Sequence, residues 1–178
     1  PIDFWATAAV IQQLGKHRGK PHAAFLDDYD VDLRYIEDPA YVGPPLPEGT
    51  DIWGVECTPV AVGCPGQSES YSEATKAPLS DAETPEDVVA YAHWPDAGMF
   101  DYGVVEQQCD AIRQADRVVV FMGDRLNRVA QLKPAMYLRG SENIFIDLAV
   151  RQDIAAAVFR KIREFYLSYL GSILRAAR

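Results

Sequence analysis

Two of the three cysteines lie close together in the stretch DIWGVECTPVAVGCPG, and neighbouring thiols can hold a metal ion or form a disulfide. Zinc sites, however, usually combine C-x2-4-C with a second pair of ligands. Six residues separate Cys57 from Cys64, and the remaining candidate ligands, Cys109 and three histidines, are scattered. A disulfide would require an oxidising compartment. The pattern favours a loop or short hairpin in which Trp53 packs and the cysteines serve as small apolar residues, with no metal held by this chain.

The composition limits the classes of partner. The 178 residues are 48% hydrophobic, which is enough for one globular domain with its own core. The 17 basic and 26 acidic residues give a net charge of −9, which repels phosphate backbones and anionic lipid. We therefore expect neither nucleic acid nor a membrane as partner, and no apolar run approaches the roughly 20 residues of a membrane span. Three cysteines without the spacing of a secreted framework indicate a cytoplasmic setting.

Three segments have the composition of strands. PIDFWAT is a short apolar run at residues 1–7, and VDLRYIE at residues 31–37 alternates between two faces, with Arg34 and Ile36 on the same face. RVVVFMG is a continuous apolar run ended by glycine, which predicts a strand buried on both faces of a parallel sheet. Residues 39–80 form a long excursion rich in proline and glycine, with short strand-like pieces at DIWGVEC and TPVAV.

Helix signals surround these strands. AAVIQQLGKHRG and HAAFLDDYD have helical spacing near the start of the chain. In TPEDVVAYA, Thr84 is a candidate N-cap, Pro85 fits the first helical position, and Asp87 fits the acidic position of a capping box. A further helix is predicted to begin at Ser141.

Two helices show a core-facing stripe. YGVVEQQCDAIRQA predicts an amphipathic helix that points four residues inward: Val104, Val105, Cys109 and Ile112. The last segment, from Asp153, predicts a helix of about 25 residues, whose apolar side chains recur every three or four positions. These side chains are Ile154, Val158, Ile162, Phe165, Tyr169 and Ile173.

The alternation of strands and helices predicts an α/β fold with a parallel sheet. Three strands leave sheet edges open, and the chain ends just after a helix, where an α/β fold would place another strand. We therefore expect residues 1–178 to be a single, incomplete domain.

Four stretches carry a resemblance to a known family: PIDFWAT, VDLRYIEDPAYVGPPLPEGTDIWGVE, PLSDAETPEDVVAYAHWPDAGMFDY and MYLRGSENIFIDLAVRQD. In this order they resemble the uroporphyrinogen decarboxylase-like superfamily, and most closely its bacterial branch related to cobalamin-dependent methyltransferases. The resemblance runs along nearly the whole chain. It implies the N-terminal half of a (β/α)8 TIM barrel, with the long Pro/Gly-rich excursion after the second strand; a full barrel takes about 250 residues or more.

The active site of such a barrel lies at the carboxyl ends of its strands. The resemblance places Glu37 where the decarboxylases have an aspartate that meets the pyrrole nitrogens of the substrate. A carboxylate there can stabilise a cation or accept hydrogen bonds, although a solvated acidic loop residue fits equally well. Tyr137 matches a pocket tyrosine of the family, which can donate to a substrate carboxylate, or it packs against the barrel. The strand ends also supply candidate substrate-binding residues, namely Trp5, Thr7, Asp38 and Gly123.

Two departures from the family bear on the reaction. The decarboxylases follow the first strand with R-Q-A-G-R, whose arginines bind substrate carboxylates, whereas this chain has DFWATAAVIQQL and no arginine before Arg18. The methyltransferase relatives hold zinc through H-x-C and a distant cysteine in the second half of the barrel. These 178 residues contain no H-x-C.

The resemblance therefore implies a methyltransferase relative with a small-molecule substrate and a corrinoid protein as partner, whose zinc is held by the second half of the barrel. The alternatives are a decarboxylase-like enzyme acting on a substrate other than uroporphyrinogen, and a non-catalytic half-barrel that mediates interactions. The open sheet also predicts a chain that is dimeric, aggregated or molten on its own, with RVVVF and parts of the helix that carries Phe165 and Tyr169 in water.

Overall fold

The computed structural model describes residues 1–62, 69–122 and 130–178, which combine helices and strands as the α/β prediction requires. The helices within these residues are α1 (Ala8–Arg18), α2 (His22–Asp28), α3 (Pro85–Ala90), α4 (Gly103–Gln114), α5 (Leu132–Arg139), α6 (Ser141–Val150) and α7 (Gln152–Ala176). The strands are β1 (Leu33–Tyr35), β2 (Ala40–Tyr41), β3 (Glu56–Val62), β4 (Glu69–Lys76), β5 (Phe100–Asp101) and β6 (Val118–Val120).

The strands pair two by two. β1 and β6 are parallel, with Leu33 opposite Val118 and Tyr35 opposite Val120, which confirms a parallel pairing between the second and third predicted strands. β2 and β5 form a short antiparallel pair, and β3 and β4 form an antiparallel hairpin inside the long excursion. The strand pieces predicted in the excursion are therefore one hairpin arm, while Asp51–Val55 forms a turn before it.

The predicted first strand is wrong, because residues 1–7 contain no strand. The segment lies beside β1, where the Ile2 carbonyl accepts hydrogen bonds from the N–H groups of Asp32 (2.9 Å) and Leu33 (3.4 Å). The Ile2 N–H, however, donates to the Asp32 carboxylate, so a side chain takes the place of a backbone partner. Phe4 then packs edge-on against Phe25 of α2, and the segment leaves the direction of β1.

β6 is partly exposed, as the open sheet predicts for RVVVF, and is not covered on both faces as its continuous apolar run indicates. Val118 is 54% exposed, and Val119 and Val120 are half-buried. The cause is that α4 packs against β6 and β1 pairs with one of its edges, while no other described strand pairs with the second edge. Within α4, Val105 and Cys109 are buried as predicted, but Val104 lies about 100° around the helix and is exposed.

The core is built on α7. All six residues of its predicted stripe are buried. Phe165 and Tyr169 were expected in water, and this expectation is wrong because aromatic residues of the excursion and of the segment before α4 cover them. The Trp53 ring lies 5.0 Å edge-on from Phe165, and the Phe100 ring lies 4.9 Å from Tyr169. None of the described helices is long and apolar enough to cross a membrane.

Local signals fix the ends of the helices. Thr84, Pro85 and Asp87 form the predicted capping box of α3, and α6 begins at Ser141 as predicted. Thr7 caps α1, whose last turn ends at Gly19 in the left-handed region (φ 64°) that glycine adopts without strain. Residues of α1 and α2 lie next to the carboxyl end of β1.

Candidate functional site

A cavity of about 530 Å³ opens at the carboxyl end of β1. Its walls come from residues 4–8, α1, α2, the end of β1 and the inner face of α4, and they are mainly apolar. Pockets of about 300–1,000 Å³ with mostly apolar walls and a few polar groups are the usual form of small-molecule sites. The cavity therefore has the size and the chemistry of a binding site for a small organic molecule.

Two carboxylates follow β1 at the rim of this cavity. Glu37 is exposed, Asp38 is half-buried, and both line the cavity. The backbone N–H of Glu37 donates to Oε1 of Gln108 at 2.8 Å, and Nε2 of Gln108 donates to the Val104 carbonyl at 3.1 Å. This chain of hydrogen bonds ties the end of β1 to α4 and holds both carboxylates at the cavity.

The N-terminal segment supplies the opposite wall. Trp5 and Thr7 both line the cavity, Trp5 with a largely exposed indole. Thr7 Oγ1 accepts the N–H of Val10 at 3.4 Å, so this hydroxyl also caps α1. The anchor of the segment is a hydrogen bond from the Tyr35 hydroxyl to Asp3 (2.8 Å), which raises the pKa of that phenol. An indole at the rim can cover a flat ligand, because aromatic pairs favour offset or edge-on stacking.

His22 and Arg34 form the inner end of the cavity. The His22 Nδ1 is buried without a hydrogen-bond partner, and burial, followed by the charge of Arg34, lowers the pKa of this imidazole. Both effects favour the neutral form of the imidazole. Arg34 is held by Asp27 (2.7 Å) and by the carbonyls of Val31 and Leu33, so its guanidinium is already bonded to the protein.

The structure brings four of the six predicted site residues together: Trp5, Thr7, Glu37 and Asp38. Tyr137 does not line this cavity: it is half-buried in α5, packs against the core, and has the Lys133 ammonium 5.5 Å from its ring centroid. Gly123 lies outside the described residues. The described residues of the excursion contribute no lining residue to this cavity, and Trp53 packs instead on Phe165 of α7.

The lining residues that were not predicted as site residues include the polar side chains of His22, Arg34 and Gln108. The alternation of residues 31–37 placed Arg34 on the same face as Ile36, and both residues line the cavity. Arg34 could therefore have been predicted as a site residue from the sequence. His22 and Gln108 lie on helices, and their positions at the cavity depend on helix packing that periodicity does not specify.

The cysteines follow the apolar interpretation where they are described. Cys57 and Cys109 are free thiols. Cys57 is half-buried in β3 and packs against the core, and Cys109 is buried in α4. Burial is the main cause that raises the pKa of both thiols, which keeps them protonated and poorly nucleophilic. Cys64 lies outside the described residues.

Comparisons of the chain with protein-family models, with curated proteins and with solved structures returned no match. The geometry of the cavity therefore carries the functional argument.

Proposed function

We propose that the cavity is the substrate site of a cytoplasmic enzyme of the uroporphyrinogen decarboxylase-like superfamily, in which this chain forms the first part of a (β/α)8 barrel. One observation carries the proposal: the carboxylates of Glu37 and Asp38 lie at the carboxyl end of a parallel strand and beside a cavity of ligand size. Active sites of (β/α)8 enzymes lie at that end of their strands.

The arrangement around β1 supports the barrel. Ile2 hydrogen-bonds to the residues that open β1, and β6 pairs with β1 in parallel, so the three segments lie side by side. Their spatial order is their order along the chain, as in a barrel built from successive parallel strands. α4 precedes β6 and packs against it, as the crossover helix of a βαβ unit does.

The lining residues indicate the kind of substrate. The apolar walls exclude water from an apolar body, and the Trp5 indole can stack on a ring. A carboxylate such as that of Glu37 favours an N–H donor or a positive charge, and it can stabilise positive charge that develops during reaction. We propose a small molecule that combines an apolar ring with such a group.

The proposed reaction is methyl transfer that involves a corrinoid partner protein and zinc. Zinc would convert a bound thiol into a thiolate nucleophile. In residues 1–62, 69–122 and 130–178, however, no three His, Cys, Asp or Glu side chains converge. The described residues do not fit a zinc site, and no step is assigned to the metal. Decarboxylation of a substrate other than uroporphyrinogen remains the alternative enzyme reaction, since it would use the same carboxylates.

A non-catalytic interaction protein is the second candidate, and the exposed apolar side chains of α6 favour it. The two candidates differ in what the cavity binds. An enzyme site should take small molecules in the cavity itself, whereas an interaction protein should not need the cavity at all.

Ligand-observed NMR with a library of small aromatic amines and matched aromatic carboxylates tests the proposal. We expect the amines to bind more tightly, Glu37→Gln to weaken that preference, and Ala111→Phe, which places a ring in the cavity, to abolish binding. Ala115→Phe is the matched control, because Ala115 ends the same helix and does not line the cavity. Binding that survives Ala111→Phe, or no binding by any member of the library, would contradict the proposal.

A further inference from the structure

The α6 helix carries apolar side chains on its outer face. Ile144 and Asp147 point into the protein and are buried. Four large apolar residues elsewhere on the helix are in water, namely Phe145 (52% exposed), Ile146 (42%), Leu148 (41%) and Val150 (75%). A helix that is apolar on all sides is normally covered on all sides, so this outer face lacks its cover in the single chain.

The apolar area is a substantial part of that of a standard protein interface. Phe145, Ile146 and Val150 lie within about 140° of one another around the helix, and their exposed fractions leave on the order of 300 Å² of apolar surface in water. A standard interface buries about 800 Å² per partner, of which somewhat more than half is apolar, or roughly 450 Å². These three side chains supply about two-thirds of this, and the exposed Ala149 lies between Phe145 and Ile146 on the same face.

The charges at the two ends of α6 suit a second copy of the same chain. Glu142 is exposed in the first turn, and Arg151 follows the last residue of the helix and is partly exposed. When two α6 helices pack antiparallel around a two-fold axis near Ile146, Glu142 of one copy lies near Arg151 of the other. Such an interface is self-complementary, as a two-fold contact requires.

The net charge of the chain limits which surfaces two copies can use to associate. Two copies with a charge of −9 repel each other, so association favours a surface without acidic residues at its centre. Between Glu142 and Arg151, the only charged residue of α6 is Asp147, which is buried and forms ion pairs with Arg139 and Arg151. The outer face of α6 therefore lets two acidic molecules approach closely.

We propose that the outer face of α6, formed by Phe145, Ile146, Ala149 and Val150, binds the same face of a second copy in an antiparallel two-fold dimer. This interface is independent of the substrate cavity, which lies between α1, α2, β1 and α4.

Analytical ultracentrifugation across a wide concentration range tests the proposal on the 178-residue chain. We expect a monomer–dimer equilibrium, and we expect Ile146→Glu to raise the dimer dissociation constant at least 100-fold, because a two-fold contact buries the new charge twice. Leu167→Glu is the matched control: Leu167 is 68% exposed on α7, so the same change there should leave the dimer intact. Circular dichroism should show both variants folded.

A second variant keeps the test decisive if Ile146→Glu does not fold. Ile146→Cys lies near the proposed axis and should form a disulfide-linked dimer on mild oxidation, whereas Leu167→Cys and the unchanged chain should not. A monomer at every concentration would overturn the proposal, as would a dimer that Ile146→Glu leaves intact. Dissociation by Leu167→Glu would assign the interface to α7 instead.

Discussion

The buried ion pair between Arg139 and Asp147 should be the most sensitive polar contact of the described fold. Arg139 is 1% exposed and Asp147 is fully buried, with 2.7 Å between Nε and Oδ2. The guanidinium also donates to the carbonyls of Leu79 and Ser80, so it ties the segment before α3 to α5 and α6. The second oxygen of Asp147 lies 2.8 Å from Nε of Arg151. The perturbation we consider is Asp147→Ala.

Removing one partner of a buried ion pair costs about 3–5 kcal/mol, because the other charge stays buried without compensation. Two features place Asp147→Ala near the lower end of this range. Arg139 keeps its two carbonyl acceptors, and Arg151, which is partly exposed, can turn to water. A loss of about 3 kcal/mol is a large part of the roughly 5–15 kcal/mol that stabilises a typical domain.

Urea unfolding, followed by circular dichroism and tryptophan fluorescence at one protein concentration, gives the free energy of unfolding. Glu164→Gln is the control, because Glu164 is exposed and lies 3.9 Å from Lys161, so its loss should cost less than about 1 kcal/mol. Arg139→Met combined with Asp147→Leu should recover most of the loss, since no charge is left buried. A change of less than about 1 kcal/mol in the unfolding free energy of Asp147→Ala would show that the Arg139–Asp147 pair does not stabilise the fold as proposed.

The remaining predictions concern a cap, two titrations and catalysis. Thr84→Ala should cost about 1 kcal/mol in urea unfolding, and Thr84→Ser much less, because the hydroxyl caps α3. Hydrogen bonding by Thr84 lowers the pKa of Asp87 below 3.8. The contribution of the Asp87 carboxylate to stability is therefore present above pH 3.8 and is lost as the pH falls through the folded-state pKa. Acid unfolding of Asp87→Asn should lack this loss of stability. Burial raises the pKa of Tyr91 from 10.0 to about 12, so its contribution is present below pH 10 and is lost as the pH rises toward 12. Tyr91→Phe should remove this alkaline loss, although it gives up the hydrogen bond to the Trp53 carbonyl, and phenolate absorbance should show the high pKa directly. The isolated chain should retain well under one zinc after dialysis and should turn over neither uroporphyrinogen nor a methyl-transfer substrate; turnover above a denatured control would contradict this.

Helices were the part of the fold that the sequence predicted well. The stripe of α7 and the capping box at Thr84 depend on spacing within one turn or one face, so they can be predicted without knowledge of tertiary contacts. The parallel pairing of β1 with β6 was also predictable, because apolar runs separated by a helix favour a crossover connection.

Elements that depend on competition between contacts were not predictable. PIDFWAT has the composition of a strand, yet the Asp32 carboxylate takes the Ile2 N–H and Phe4 packs on α2. The Arg139–Asp147 pair was missed for a related reason: both residues lie in helical patterns whose charged positions are normally solvated. In each case a single long-range partner decides the outcome.

The candidate site was predictable at β1 and not on the helices. Glu37 and Asp38 were expected there because the resemblance implies a (β/α)8 barrel, whose sites lie at the carboxyl ends of its strands. His22 and Gln108 reach the cavity only through the angles at which α2 and α4 pack, and those angles depend on contacts that are distant in the sequence.

The barrel proposal and the dimer proposal involve different surfaces, so each can be tested without the other. The second edge of β6, with which no described strand pairs, presents backbone groups to which a further strand can hydrogen-bond. The outer face of α6 presents side chains, which a second helix can cover without any backbone hydrogen bond. Because the aromatic residues around Trp53 already close the core over α7, neither demand must be met for α7 to be buried. A chain that dimerises through α6 can therefore keep a packed core and leave the edge of β6 free to pair with a further strand.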